Sequence, residues 1–146
     1  MAKVGSKAGW HGNYVESISA AKTIVTGDSG KVFMVTDTGA SGYTITLPTP
    51  ANAGIGFTAK FINNCTAGGT LNGSGGEDVV LNDGQTDVMV SVHVDQDSDV
   101  VSDSQADTVG FDHTSVKGDT LEIFSDGTIW FVYGRSGAAA GIIVAT

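Results

Sequence analysis

The stretch Gly42 to Ile62 reads GYTITLPTPANAGIGFTAKFI. Tyr43, Ile45 and Leu47 fall on one side of an extended chain, with Thr44 and Thr46 on the other. This period-2 alternation, in residues that suit a pleated and half-buried surface, predicts a strand. Pro48 has no N–H to give to a ladder, so the strand should stop there. Thr49 to Gly56 is small and rich in Gly and Pro, which predicts a loop. Phe57, Ala59 and Phe61 then resume the alternation, with Thr58 and Lys60 opposite. Two strands meeting at an elbow would set Tyr43, Ile45, Leu47, Phe57 and Phe61 against one core.

Working outward, the same texture recurs along the chain. Lys31 to Thr36 is a predicted strand after the turn residues Gly27 to Gly30. Asp78 to Leu81 is a short strand between turns. Tyr14 to Val25 is ambiguous and read as extended. Thr86 to Val94 alternates most cleanly. Val88, Val90, Val92 and Val94 form a β-branched row that is expected to face the core, with Asp87, Met89, Ser91 and His93 opposite. Asp95 to Gly110 is polar and acidic and is expected to be a long loop, with at most a short strand at Val100-Val101. Lys117 to Tyr133 reads as a hairpin turning at Ser125-Asp126-Gly127. In its second strand Trp130 and Val132 share one face, while Ile129, Phe131 and Tyr133 share the other. Both faces are therefore apolar, as in a strand buried on both sides or packed against another subunit. Ile142 to Val144 would be an edge or inter-subunit strand. The sum is an all-β chain: a single-domain β-sandwich or jelly roll of about eight short antiparallel strands over residues 14–146, preceded by an irregular N-terminal arm, 1–13.

Composition agrees. The chain has 146 residues, of which 21 are Gly and 16% are charged. That charge is below the roughly one quarter of average globular proteins, and long helices have little material. The formal net charge is −9, which argues against a general nucleic-acid binder and against anionic membrane surfaces. The charge is uneven: Lys3, Lys7, Lys22 and Lys31 lie near the start, whereas Glu77 to Asp126 carries thirteen acids and one base, Lys117. No apolar run has the length of a membrane span, and the start lacks the order of a signal peptide. Asn64-Cys65-Thr66 and Asn72-Gly73-Ser74 are therefore read as chance glycosylation patterns. Cys65 is the one cysteine, so an internal disulfide or a cysteine-based zinc site is ruled out, and a buried thiol is expected.

Motifs for chemistry are weak. Asp95, Asp97 and Asp99 have the opening spacing of a calcium loop, but the Gly and Glu that an EF-hand needs further on are replaced by Val100 and Ala106. The run is read as a solvated acidic loop, with a weak divalent-cation site as the alternative. Gly73 to Leu81 approximates one calcium-binding nonapeptide, a motif that works only in stacks, and is read as a turn and a strand. His11, His93 and His113 have no zinc spacing. Asp112 beside His113 is expected to point away from it, as neighbours in a strand do. No catalytic, cofactor or metal residues are expected.

The order T-I-T-L-P, a small-residue loop, then F-T-A-K-F-I-N at Thr44 to Asn63, resembles bacteriophage virion proteins. So does K-G-D-T-L-E-I-F-S-D-G-T-I-W-F-V at Lys117 to Val132. Together these cover about a quarter of the chain. The resemblance is closest to capsid decoration, or cement, proteins. It implies a non-enzymatic protein on the virion head surface that binds the major capsid protein as an oligomer, a homotrimer by preference, and braces the shell. Either the arm, through Lys3, Lys7 and Trp10, or the tail Ala138 to Thr146 would reach the capsid; Trp10 has the second reading of anchoring the arm on its own domain. The rival is a tail-fibre or receptor-binding domain that takes carbohydrate through exposed aromatics. A capsule-degrading enzyme is third.

Overall fold

The computed structural model describes residues 14–36, 41–66, 70–71, 78–97 and 100–146. Among them are twelve strands: β1 (Val15–Ile18), β2 (Lys22–Thr23), β3 (Val32–Val35), β4 (Tyr43–Thr46), β5 (Thr58–Asn63), β6 (Val79–Asn82), β7 (Met89–Val94), β8 (Val100–Ala106), β9 (Thr108–Phe111), β10 (Thr120–Ser125), β11 (Trp130–Arg135) and β12 (Ile142–Ala145). A seven-stranded sheet has the order β1-β3-β5-β10-β11-β7-β8, and a five-stranded sheet has the order β12-β9-β6-β4-β2. The all-β sandwich is therefore present, with more strands than the sequence suggested.

The sheets are mixed rather than antiparallel. β1, β3 and β5 run parallel as neighbours in one sheet, and β2, β4 and β6 run parallel as neighbours in the other. The chain from Val15 to Asn82 thus alternates between sheets at every strand. It winds as a short coil with one strand of each sheet per turn. The residues at 27–30, read from sequence as a turn, carry the chain across from β2 to β3 in the opposite sheet. Parallel pairing requires such crossovers, because a tight hairpin can join only antiparallel strands. Later in the chain β10 and β11 form the expected antiparallel hairpin and β12 closes antiparallel on β9, while β11 runs parallel to β7 on its other side.

The inner faces build one core. Ile45, Leu47, Phe57, Ala59 and Phe61 are all buried, as the alternation around the Pro48 elbow predicts. The rings of Phe33 and Phe61 stack at 5.1 Å, and Phe57 meets the Trp130 ring edge-on at 5.4 Å. Such pairs add to the area they bury. Within the expected loop, Pro50–Ala53 forms a single helical turn, α1. Thr49 Oγ1 caps it by accepting the Asn52 N–H, and Pro50 occupies the first turn, where no N–H is needed.

Two expectations are corrected. In β7 the buried residues are Met89, Ser91 and His93, whereas Val90 and Val92 are half-buried and Val94 is exposed on the outer face. A β-branched row marks a face that is covered by something, but it does not say which face lies inside. The inner row is set by register: Met89, Ser91 and His93 lie beside Trp130, Val132 and Gly134 of β11. Gly134 makes the room, since a Cβ there would come within 2.8 Å of His93 Cβ and 2.5 Å of Ile142 Cδ1. The second correction is Asp95 to Gly110, which contains β8 and β9 rather than a long loop. Only Asp107 separates them, and there the chain crosses from one sheet to the other. β8 is an edge strand, and the polar, acidic composition that reads as loop is what blunts an edge.

Candidate functional site

The outer face of the seven-stranded sheet is the most distinctive surface of the described residues. Its side chains lie in three cross-strand rows. One runs Val32, Lys60, Glu122, Tyr133, Val92. A second runs Thr58, Phe124, Phe131, Val90. The third runs Met34, Ile62, Thr120, Arg135, Val94. Phe124 and Phe131 touch with ring centroids 6.1 Å apart. Tyr133 is 54% exposed at the centre. Beside it Lys60 Nζ pairs with Glu122 Oε1 at 2.8 Å. Both of these side chains are well exposed, so the pair contributes little stability.

Two shallow grooves share Lys60, Glu122 and Tyr133. One, of about 390 Å³, also involves Tyr14, Thr58 and Phe124. The other, of about 670 Å³, extends over Val92, Val94 and Arg135. The outer face of the five-stranded sheet offers a contrast: Thr44, Thr46, Asn82 and Thr108 dominate it. That face carries Val80 and Ile143 as its branched residues and no aromatic ring, whereas the seven-stranded sheet turns Phe124, Phe131 and Tyr133 outward. An apolar expanse of this kind marks contact with another molecule. The sequence carried a signal for it in the Phe131 and Tyr133 side of β11, but Phe124, Val90 and Val92 were not recognised as its continuation.

The positive corner near the start of the fold is engaged internally. Lys31 Nζ lies 2.7 Å from Asp28 Oδ1 and 3.2 Å from Glu16 Oε2, and Lys22 Nζ lies 2.6 Å from Glu16 Oε1. The hydrogen bond to Asp28 holds the Lys31 ammonium above its ordinary value, against the opposing effect of burial, with Glu16 adding to the rise.

Lys3, Lys7 and Trp10 lie outside the described residues, as does Asp99. Asp95 Oδ1 accepts the Asp97 N–H at 3.0 Å, a local turn contact. The tail is not a free arm, because Ile142–Ala145 is paired to β9 as the edge strand β12. Cys65, the one cysteine, is buried, as expected. His93 is buried, and its desolvation lowers the imidazole below the ordinary range, partly opposed by Asp95. Asp112 and His113 correct the sequence reading. They lie past the end of β9 in a turn, where strand alternation no longer applies, and Asp112 Oδ1 is 3.5 Å from His113 Nδ1. Asp78 joins them, with Oδ1 3.4 Å from the same nitrogen.

Among the described residues no helix is long and apolar enough to cross a membrane. No family model, curated protein or solved structure matches the chain.

Proposed function

We propose that this chain is a non-enzymatic bacteriophage structural protein that decorates the head surface, associating with copies of itself and binding the major capsid protein. The observation that carries the reading is the apolar outer face of the seven-stranded sheet. Tyr133, Phe124, Phe131, Val90 and Val92 lie together there, with Lys60, Glu122 and Arg135 as the charged groups among them. In this reading copies of the chain, three by preference, cover that face from one another, as closed symmetric oligomers do. The arm bearing Lys3, Lys7 and Trp10 then contacts the capsid. Each contact is modest, and several arms on one oligomer add avidity.

The resemblance to virion proteins lends support. Its two stretches, Tyr43 to Asn63 and Lys117 to Val132, are distant in sequence yet adjacent in space, because β5 pairs with β10. The elbow is also tied to the hairpin, with Gly56 N–H donating to the Ser125 carbonyl at 2.8 Å and Ser125 N–H donating to that of Phe57 at 3.0 Å.

Sedimentation equilibrium and co-sedimentation with empty phage heads test the proposal. The expected result is an oligomer that pellets with heads, and a chain lacking residues 1–13 that stays oligomeric but remains in the supernatant. A monomer at tens of micromolar with no affinity for heads overturns it. A tail-module reading has its own support, since the groove beside Tyr14 and Tyr133 also holds Lys60 and Glu122. Aromatic rings beside charged groups suit a sugar. Specific binding on a glycan array, without head binding, would favour that reading.

A further inference from the structure

We propose that Asp78, Asp112 and His113 form a binding site for a divalent transition-metal ion of the zinc type. The topology brings them together. Asp78 immediately precedes β6 and Asp112 immediately follows β9. These strands are antiparallel neighbours with Val79 opposite Phe111, so the residue before one and the residue after the other face each other at the same end. The turn beyond β9 then swings the His113 ring back between the two carboxylates.

The spacing fits an ion better than it fits direct bonds. His113 Nδ1 is 3.4 Å from Asp78 Oδ1 and 3.5 Å from Asp112 Oδ1. Hydrogen bonds from a ring N–H favour about 2.9–3.0 Å. Ligand atoms held about 2.0–2.1 Å from a tetrahedral metal stand roughly 3.3–3.4 Å apart along each edge. All three ligand atoms lie within 4.8 Å of one another, so a small inward movement of the carboxylates closes the set. The mixture of one imidazole and two carboxylates suits zinc and its neighbours better than calcium or magnesium, which take oxygen ligands.

The carboxylates are already oriented by the segment that follows β9. The main-chain N–H of His113 donates to Asp78 Oδ1 at 2.8 Å, and Thr114 donates to Asp112 Oδ1 through its N–H at 2.8 Å and through its hydroxyl at 2.5 Å. Such supports fix metal ligands in place. The Asp78, Asp112 and His113 side chains are 28%, 22% and 30% exposed, so an ion can enter from solvent.

A second polar feature adjoins the cluster at Asp112. Asp112 also lines a groove of about 370 Å³ together with His93, Asp95 and strand β12. His93 is only 5% exposed, and its Nδ1 has no hydrogen-bond partner. A buried polar atom without a partner is uncommon in folded proteins. A wall of this groove thus combines a carboxylate of the cluster with an unsatisfied imidazole. Three protein donors leave a coordination position for water or a further ligand.

The test uses the full chain, stripped with a chelator and titrated with Zn²⁺ by calorimetry and with Co²⁺ by visible absorption. Circular dichroism confirms folding of each variant. The wild type is expected to bind Zn²⁺ saturably, with one equivalent lost in His113→Ala and affinity reduced at least tenfold in the isosteric Asp78→Asn. Asp97→Asn should bind as the wild type does. Asp78→Asn alone decides the matter where His113→Ala fails to fold. No saturable binding up to millimolar Zn²⁺ overturns the site, and so does unchanged stoichiometry and affinity in folded variants of the cluster.

Discussion

Ser136 Oγ donates a hydrogen bond to Asp119 Oδ2 at 2.8 Å, joining the segment after β11 to the turn before β10. The same carboxylate accepts from Ser115 Oγ at 2.7 Å, from Val116 N–H at 2.9 Å and, through Oδ1, from Gly137 N–H at 2.7 Å. Ser115 Oγ in turn accepts from Asn63 Nδ2 at 2.9 Å, so the network reaches β5. Asp119 is 3% exposed. Its removal leaves the Ser115 hydroxyl and the Val116 and Gly137 N–H groups without that acceptor, while Ser136 Oγ can turn to the Ala138 carbonyl at 3.0 Å. Asp119→Ala is expected to cost about 3–5 kcal/mol, since each buried donor left without an acceptor costs about 1–3 kcal/mol. Urea denaturation measures it, and a loss under about 1 kcal/mol would show that the hub is not structural.

Gly141 is fitted to that same pair. A Cβ at this position would lie 2.1 Å from Ser136 Oγ and 3.1 Å from Asp119 Oδ2. The hydroxyl can leave only by giving up Asp119. Gly141→Ala is therefore expected to cost about 1–3 kcal/mol, as overpacking does. Ser136→Ala removes the obstructing oxygen, so the double variant should be more stable than the sum of the two single losses implies. A double-mutant cycle reads the coupling, expected to exceed about 0.5 kcal/mol. Strict additivity would disprove the clash.

Strand β7 separates the two faces of the seven-stranded sheet. Met89 is fully buried beside Trp130, whereas Val92 lies outward beside Tyr133. Met89→Ala should cost about 2–5 kcal/mol through lost burial and the cavity left behind. Val92→Ala should cost the folded monomer under about 1 kcal/mol. Val92→Asp should leave the monomer folded while dissociating any oligomer built on this face. Thermal melts paired with sedimentation check both halves, and a Val92→Asp chain that is unfolded would return Val92 to the core.

The contrast shows what was legible. Alternation identified β4 and β5 and the correct inner faces of the Pro48 elbow, because there the inner face is plainly the more apolar, and the Asp-Gly turn identified the β10–β11 hairpin although both faces of β11 are apolar. In β7 both faces suit a covered surface, and period 2 cannot tell inside from outside. The parallel coil of β1 to β6 was illegible for a different reason. A Gly-Asp turn that crosses between sheets has the same residues as one that joins neighbouring strands. The Asp78, Asp112 and His113 cluster depends on register between β6 and β9, a long-range relation that local spacing does not encode.

Acid should loosen the start of the coil. The Lys22 hydrogen bond lowers the Glu16 carboxyl against a smaller effect of burial, with Lys31 adding to the fall. Burial raises Asp28, but the bonds from Lys31 and the Val25 N–H outweigh it, and the net direction is down. Carboxyls lowered on folding stabilise the protein above their unfolded values of about 4, and that contribution is lost as pH falls through the lowered folded values. Below about pH 4, amide exchange should accelerate in β1 and β3 ahead of β10 and β11. Glu16→Gln should abolish part of that pH dependence. Equal acceleration throughout the sheet, unaffected by the substitution, would count against the cluster.

Asp83 should behave in the opposite sense. It is 7% exposed, and burial raises its carboxyl above the ordinary range, although the backbone N–H of Gln85 favours the ionised form. The Trp130 indole is close enough to ease the charge, yet neither Asp83 Oδ2 nor Trp130 Nε1 has a partner at hydrogen-bond geometry. A carboxyl whose folded value exceeds its unfolded value binds its proton more tightly in the native state. Ionised Asp83 therefore costs stability at neutral pH, and that cost is relieved as pH falls through the raised value toward about 4. Asp83→Asn keeps an oxygen for the Gln85 N–H and removes the charge. It should raise stability at pH 7, with the gain vanishing near pH 4. Urea denaturation of both proteins across that interval decides the point, and a gain that is equal at both ends would mean that charge burial is not its source.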